Sequence, residues 1–301
     1  MQDEFLPKQV VDLRDEGAIP LRDSFANALA YSIKRNAIAT PLHQQPILTA
    51  FVKQGDAGKP ILLLHGFDSS LLEFCRLLPL LATHHQTWAI DLLGFGFTDR
   101  MAGLNFNPAA IKTHLYCCWK TLINQPVILV GTSMGGAAAI DFAQSYPQAV
   151  EKLILINSMG YLSALSLGQL LFPPLDFWAV EYWRQRKLQA LNLAILSGWD
   201  ARQIEALKCV NLHMEMPGWH EAMIAFTKSG GYGGLGEKIC RVHQPTLILW
   251  GELDETLGTE DAYKFRRDIG DSKLVWVKNC GHSPQLEQPE FTAGQILAFG
   301  R

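Results

Sequence analysis

What this 301-residue chain has little of narrows its function first. Charged residues make up only 18% of it, against the roughly 25% usual in soluble domains. Its 26 basic and 29 acidic side chains nearly cancel, leaving a net charge of -3. There is no basic surplus to hold nucleic acid and no acidic run of the kind found in solvated tails. The six cysteines, Cys75, Cys117, Cys118, Cys209, Cys240 and Cys280, contain no C-x-x-C pair. A chain this long needs no covalent staples, so they read as reduced thiols in a cytosol-like compartment. The nine histidines and six cysteines show no metal-ligand spacing, so neither metal nor cofactor is expected. The N-terminal MQDEFLPKQVVDLRDEG is acidic and lacks an apolar h-region, which argues against a signal or transit peptide. No apolar stretch reaches the roughly 18 residues of a membrane-spanning helix. Repeats and low-complexity segments are missing as well. A cytoplasmic protein, or one attached peripherally to a membrane, fits these absences. Low charge leaves apolar surface, which suits a greasy ligand or a lipid contact.

What is present centres on residues 126–139, PVILVGTSMGGAAA. The apolar, β-branched run 127–130 reads as a buried strand. Gly131 ends it, and small residues lead into a helix over about 134–146. Ser133 lies between Gly131 and Gly135, giving Gly-x-Ser-x-Gly in a strand, turn and helix context. A turn this tight brings backbone against backbone, so its neighbours must lack bulk. The serine is then held at a strained point with its hydroxyl exposed. The backbone N–H of Met134, at the positive end of the helix, points where an oxyanion would form.

Around this centre the text alternates strand and helix. Ser24 is placed to cap a helix over 24–35, with Phe25, Ala28, Leu29 and Ile33 on one side. Two hairpin strands over 36–56 follow, then a buried strand over 61–64. The next loop begins His65-Gly66-Phe67. In a hydrolase its Phe67 N–H would be the second oxyanion donor, with His65 bonding its own loop. A helix is expected over 70–83, a strand over 85–91 and a helix over 108–124. Asp91, Gly94 and Gly96 shape a loop and Asp99 braces it; the Gly-x-Gly is too short for a dinucleotide fingerprint. A strand over 152–156 ends at Asn157-Ser158, where a carboxylate would be needed for an alternative acid and none stands.

Alternation then stops. Residues 159–240 are helical and greasy and hold Trp178, Trp183, Trp199 and Trp219. They read as an inserted cap of about four helices, with Trp178, Trp183, Trp219 and Tyr232 as candidate substrate-lining residues. The expected organisation is a core over 1–158 (leader 1–35), the cap over 159–240, and the core again over 241–301. Strands over 245–250 and 273–277 and a closing helix from Pro289 complete an α/β fold, a mostly parallel doubly wound sheet with an all-helical insertion.

Ser133, Asp254 and His282 each follow a strand, at the sheet edge where open α/β proteins keep their sites. The chemistry asks for these types. A serine hydroxyl is a poor nucleophile until an imidazole takes its proton. The imidazole needs a carboxylate to fix its tautomer and stabilise its charged form. Asp141 lies inside a helix and His84 and His85 precede a strand, so they fit worse; Glu252 is the nearest rival to Asp254.

Together Gly131-Thr-Ser-Met-Gly-Gly136, His65-Gly66-Phe67, Gly251-Glu-Leu-Asp254 and Gly281-His282 resemble the α/β-hydrolase superfamily over nearly the whole chain. Leu64-His-Gly-Phe-Asp-Ser-Ser70, residues 87–99, Ser229-Gly-Gly-Tyr232, Thr246-Leu-Ile-Leu-Trp-Gly-Glu252 and Asn279-Cys-Gly-His282 resemble more narrowly the chlorophyll dephytylases of plants and photosynthetic bacteria. That resemblance implies hydrolysis of the phytyl ester of chlorophyll or pheophytin, with Ser133, Asp254 and His282 as the triad, at or near a photosynthetic membrane. The elbow departs from it: the plant proteins are expected to read Gly-Pro-Ser-Leu-Gly, against Gly-Thr-Ser-Met-Gly here. Another apolar ester, a carbon–carbon bond, or a receptor that retains the fold are the alternatives. Oligomeric state is not legible.

Overall fold

The computed structural model describes residues 21, 23–161 and 167–301. Most of the acidic leader, and residues 162–166 of the expected cap, lie outside the described residues. Among the described residues eight strands form one sheet in the order β1-β2-β4-β3-β5-β6-β7-β8. They are β1 (Lys34–Ile38), β2 (Ile47–Gln54), β3 (Ile61–Leu64), β4 (Thr87–Ile90), β5 (Val127–Thr132), β6 (Val150–Ile156), β7 (Thr246–Gly251) and β8 (Ser272–Val277). β2 pairs antiparallel with β1 and β4, and every other pairing is parallel. The continuous apolar runs mark the central strands: every residue of β3, β4, β5 and β7 is buried. Side chains alternate across such a sheet, so each strand feeds two cores. Leu62, Leu64 and Leu129 pack into one; Ile61, Leu63, Ile128 and Val130 pack into the other.

The helices flanking the sheet are α1 (Ser24–Tyr31), α2 (Leu77–Ala82), α3 (Pro108–Leu122) and α4 (Met134–Ser145) before β6. Between β6 and β7 come α5 (Leu175–Leu196), α6 (Ala201–Asn211), α7 (Trp219–Lys228) and the short α8 (Gly236–Ile239). The chain closes with α9 (Glu260–Asp268), α10 (Pro284–Glu287) and α11 (Pro289–Gly300). No helix among the described residues is long and apolar enough to cross a membrane.

Two local expectations need correction. Asp23, not Ser24, caps α1: its Oδ1 accepts the N–H groups of Phe25 and Ala26 at 2.9 and 3.0 Å. That helix stops at Tyr31 because Lys34 pairs with Phe51 in the sheet. Its buried face is Ala26, Leu29 and Ala30, while Phe25 is exposed. The helix expected over 70–83 is also broken. Ser70 caps a single tight turn, Leu71–Phe74, and α2 starts afresh at Leu77. Pro79 has no N–H to give the carbonyl a turn earlier, so it is tolerated only in the first turn of a new helix.

Candidate active site

Ser133 sits between the end of β5 and the start of α4 at φ 50° and ψ -118°. A serine gains nothing locally from that conformation, which costs on the order of 1–3 kcal/mol. The surrounding contacts hold it: its N–H donates to the Ile156 carbonyl at 3.0 Å and its own carbonyl accepts from Met159 at 3.0 Å. A Cβ on Gly131 would stand 2.3 Å from the Gly135 carbonyl oxygen, and one on Gly135 would stand 2.2 Å from that of Leu64. The elbow therefore closes only with glycine at both places.

Asp254 follows β7 and is buried. Its Oδ2 accepts from His282 Nδ1 at 3.0 Å and from Asn157 Nδ2 at 2.6 Å. Its Oδ1 accepts the N–H groups of Thr256 and Leu257 at 2.8 and 3.1 Å. Burial opposes its charged form, but the bonds from His282 and Asn157 outweigh that and hold the carboxyl below the usual carboxylate range. His282 follows β8 with its side chain partly exposed. Glu252, the nearest rival acid, is exposed. Asp141 is tied instead to Lys112 and Lys238, at 3.3 and 2.6 Å.

The loop after β3 is pinned at each end. His65 is buried, with its Nδ1 bonded to the Gly66 carbonyl at 2.8 Å and its Nε2 accepting the Leu92 N–H at 3.1 Å. It therefore shapes its own loop, as the sequence suggests, and burial lowers its pKa to about 4. Asp91 braces the neighbouring loop through the N–H groups of Leu71 and Phe97 at 2.6 and 2.7 Å. Glu73 reaches up from the core. Its Oε2 accepts the Gly66 N–H at 3.1 Å and its Oε1 accepts from the Thr132 hydroxyl. Burial pushes its carboxyl above the ordinary range. Among the described residues, the N–H groups of Phe67 and Met134 donate to no other group.

A cavity of about 650 Å³ opens over this arrangement. Ser133, His282, Phe67, Glu73, Trp183 and Tyr232 are among its lining residues. The Tyr232 hydroxyl is buried and has no partner among the described residues. A second chamber of about 290 Å³ adjoins the first and shares Phe67, Trp183 and Thr227 with it. Its remaining wall is largely apolar, from Leu171, Ala179, Val180, Met223 and Ile224.

The structure thus gathers Ser133, Asp254, His282, Phe67, Met134, Trp183 and Tyr232 in one place. Trp178 and Trp219 need correction as cavity-lining residues. Trp178 points to solvent, 63% exposed, and Trp219 is buried with its Nε1 donating to Asp68 Oδ1 at 2.9 Å. Sequence reasoning missed Asn157. Where a carboxylate would make an alternative acid, its amide instead donates to the carboxylate at 254 while its Oδ1 accepts the Gly251 N–H at 3.1 Å. A polar side chain at the end of a buried strand was the available signal.

A nucleophile elbow, an imidazole with its carboxylate and two free amides at one end of a parallel sheet define a hydrolase. The chain belongs to the alpha/beta hydrolase family, whose model matches residues 61–295. It is 34% identical over 305 residues to the alpha/beta hydrolase domain-containing protein VTE7 of Arabidopsis thaliana, covering 98% of this chain and 89% of that one. It is also 27% identical over 258 residues to the 2-hydroxy-6-oxo-6-(2'-aminophenyl)hexa-2,4-dienoic acid hydrolase of Metapseudomonas resinovorans, covering 83% of this chain and 87% of that one. Among solved structures, a thermophilic esterase from Thermogutta terrifontis superposes with a TM-score of 0.74 at 23% identity, covering 88% of this chain and 97% of that one. That likeness concerns the fold.

Proposed function

We propose that the protein is a serine carboxylester hydrolase that releases phytol from chlorophyll-type pigments. The observation that carries the ester-hydrolase reading is the cavity lined by both Ser133 and His282, with Asp254 bonded to the far nitrogen of that imidazole at 3.0 Å. His282 Nε2 takes the Ser133 proton as Oγ attacks the ester carbonyl. The resulting oxyanion is met by the N–H groups of Phe67 and Met134, each such donor being worth about 3 kcal/mol. His282 then passes the proton to the departing alcohol, leaving an acyl-enzyme. Water, deprotonated by the same imidazole, releases the acid. Asp254 stays ionised throughout and steadies the imidazolium.

The pigment ester is supported by the chlorophyll dephytylase-like motifs and by the apolar lining of the two chambers. The larger is walled by Phe67, Trp183, Phe226 and Leu257, and the smaller continues the apolar wall beyond Phe67. A long branched alcohol fits such walls better than a polar acid does. The helices between β6 and β7, expected over 159–240, serve as the cap in this reading. Leu170, Phe172, Leu175, Trp178, Tyr182, Leu196 and Trp199 are exposed on this segment, which supports peripheral contact with the membrane that holds the substrate.

Incubation with chlorophyll, pheophytin and p-nitrophenyl butyrate, with phytol and p-nitrophenol measured separately, tests the proposal. Phytol should appear with the pigments and vanish in Ser133→Ala. Turnover of the short ester with no phytol would leave an esterase for another apolar ester. No turnover at all would favour a receptor.

A further inference from the structure

One buried carboxylate outside the proposed proton relay joins the loop of Phe67 to two helices of the helical segment, α5 and α7. Asp68 follows Phe67, is 2% exposed, and holds φ at 47°, in the left-handed region. Its Oδ1 accepts from Trp219 Nε1 of α7 at 2.9 Å. Its Oδ2 accepts from Trp183 Nε1 and Lys187 Nζ of α5, at 2.9 and 2.8 Å. Lys187 Nζ also donates to the Asp68 backbone carbonyl at 2.8 Å and to the Val210 carbonyl, in α6, at 3.2 Å. His213 Nε2, in the turn between α6 and α7, stands 3.3 Å from Oδ1 without the alignment of a hydrogen bond. Burial works against ionised Asp68, but the ammonium of Lys187, with the bond from the Trp219 indole, outweighs it and holds the carboxyl below its ordinary range. Burial keeps the imidazole of His213 neutral, with a pKa of about 3.

A buried ion pair is weak evidence of stability, since well-packed apolar groups of similar volume often do as well or better. What a fully bonded carboxylate supplies is fixed geometry. Here that geometry falls on the residue next to an oxyanion donor. Gly66, on one side of Phe67, is held from the core by Glu73 at 3.1 Å. Asp68, on the other side, is held through side chain and carbonyl by donors on α5 and α7. The Phe67 ring itself packs on Phe226 of α7, centroids 5.8 Å apart.

We propose that Asp68 is a positioning residue that clasps the helices between β6 and β7 and makes the Phe67 oxyanion donor depend on their being seated. When those helices lift, Asp68 loses its three side-chain donors and the Phe67 amide loses its register. The hydrolase is then competent only while the segment closes over the cavity. This rests on the reading of Ser133 as nucleophile and the Phe67 N–H as donor.

The test compares wild type with Asp68→Asn, which keeps the side chain's volume but presents an amide to three donors. Trp183→Phe and Trp219→Phe each remove one neutral donor and serve if Asp68→Asn does not fold. Readouts are thermal unfolding, kcat and KM for p-nitrophenyl butyrate, the rate of fluorophosphonate labelling, and limited proteolysis of the helical segment. The expected result for folded Asp68→Asn is a kcat lower by about 10- to 100-fold, with labelling slowed in parallel. KM should change much less, and cleavage within the segment should quicken. Trp183→Phe and Trp219→Phe should move kcat the same way by smaller factors. Lys187→Met added to Asp68→Asn should restore thermal stability by removing the stranded ammonium, without restoring kcat. A purely structural role predicts the opposite pattern: a lower melting temperature with kcat per folded molecule unchanged. Wild-type kcat and labelling in folded Asp68→Asn, or in both tryptophan variants, would overturn the clasp. A wild-type protein that neither labels nor turns over would instead defeat the nucleophile assignment beneath it.

Discussion

Asn157 shows how much one uncharged side chain can fix. Its amide nitrogen donates to Asp254 Oδ2 at 2.6 Å and its oxygen accepts from the Gly251 N–H at 3.1 Å. It thereby ties the end of β6 both to the start of the loop after β7 and to the acid that loop carries. Removing it strands a buried carboxylate lone pair and a buried N–H, each costing about 1–3 kcal/mol. Asn157→Ala should therefore lower kcat about tenfold, or about 1.4 kcal/mol in the barrier, with KM little changed. Steady-state kinetics on p-nitrophenyl butyrate decide it, and an unchanged kcat would reduce Asn157 to a packing residue. The contrast with Trp219 is instructive. In the sequence both indoles and amides are only types, and nothing there says which way they face. Tryptophan in a greasy segment suggested a cavity wall, yet the Trp219 ring is buried and spends its N–H on Asp68.

Among elements, legibility tracked the range of the forces that shape them. The buried strands are plain because an unbroken apolar run of four residues, such as 61–64 or 127–130, has few other homes in an α/β chain. The elbow was plain because its glycines answer a steric demand set within a few residues. Helix ends were less so. Asp23 and Ser24 both favour capping by type, and Asp23, the residue that caps, also pairs with Arg76 from across the fold. Pro79 divides the stretch after Ser70 by a local rule that the apolar pattern of its leucines masked. The clasp was out of reach altogether. Asp68 and Lys187 are 119 residues apart and meet only once α5 lies across the end of β3. Long-range pairing of this kind leaves no periodic trace in a single sequence.

At the scale of the whole molecule, acid should loosen the fold through its buried neutral histidines. Burial lowers His65 and His114 to about 4 and His213 to about 3, against an unfolded value of 6.5. Between those values the unfolded chain binds more protons, so stability rises with pH across the window and is lost as pH falls below 6.5. Each histidine then contributes a loss of about 2 kcal/mol on going from pH 7 to pH 5. Asp91, raised to about 7 by burial, acts in the opposite sense and offsets part of it. His114 gives the cleanest test, because desolvation alone shifts it and glutamine can keep the bond to Thr49 Oγ1, 2.8 Å away. Denaturant unfolding of His114→Gln should show a loss between pH 7 and pH 5 that is smaller than wild type's by about 2 kcal/mol. An identical slope would contradict the assignment of a buried neutral ring.

In the proposed reaction the whole molecule serves one reacting atom, the Ser133 Oγ. Treating the purified protein with a fluorophosphonate and locating the adduct by peptide mass spectrometry measures it most directly. A single phosphonyl group on Ser133, formed in wild type and nearly lost in His282→Ala, is the predicted result. An adduct on another residue, or undiminished ester turnover with Ser133 unmodified, would contradict it.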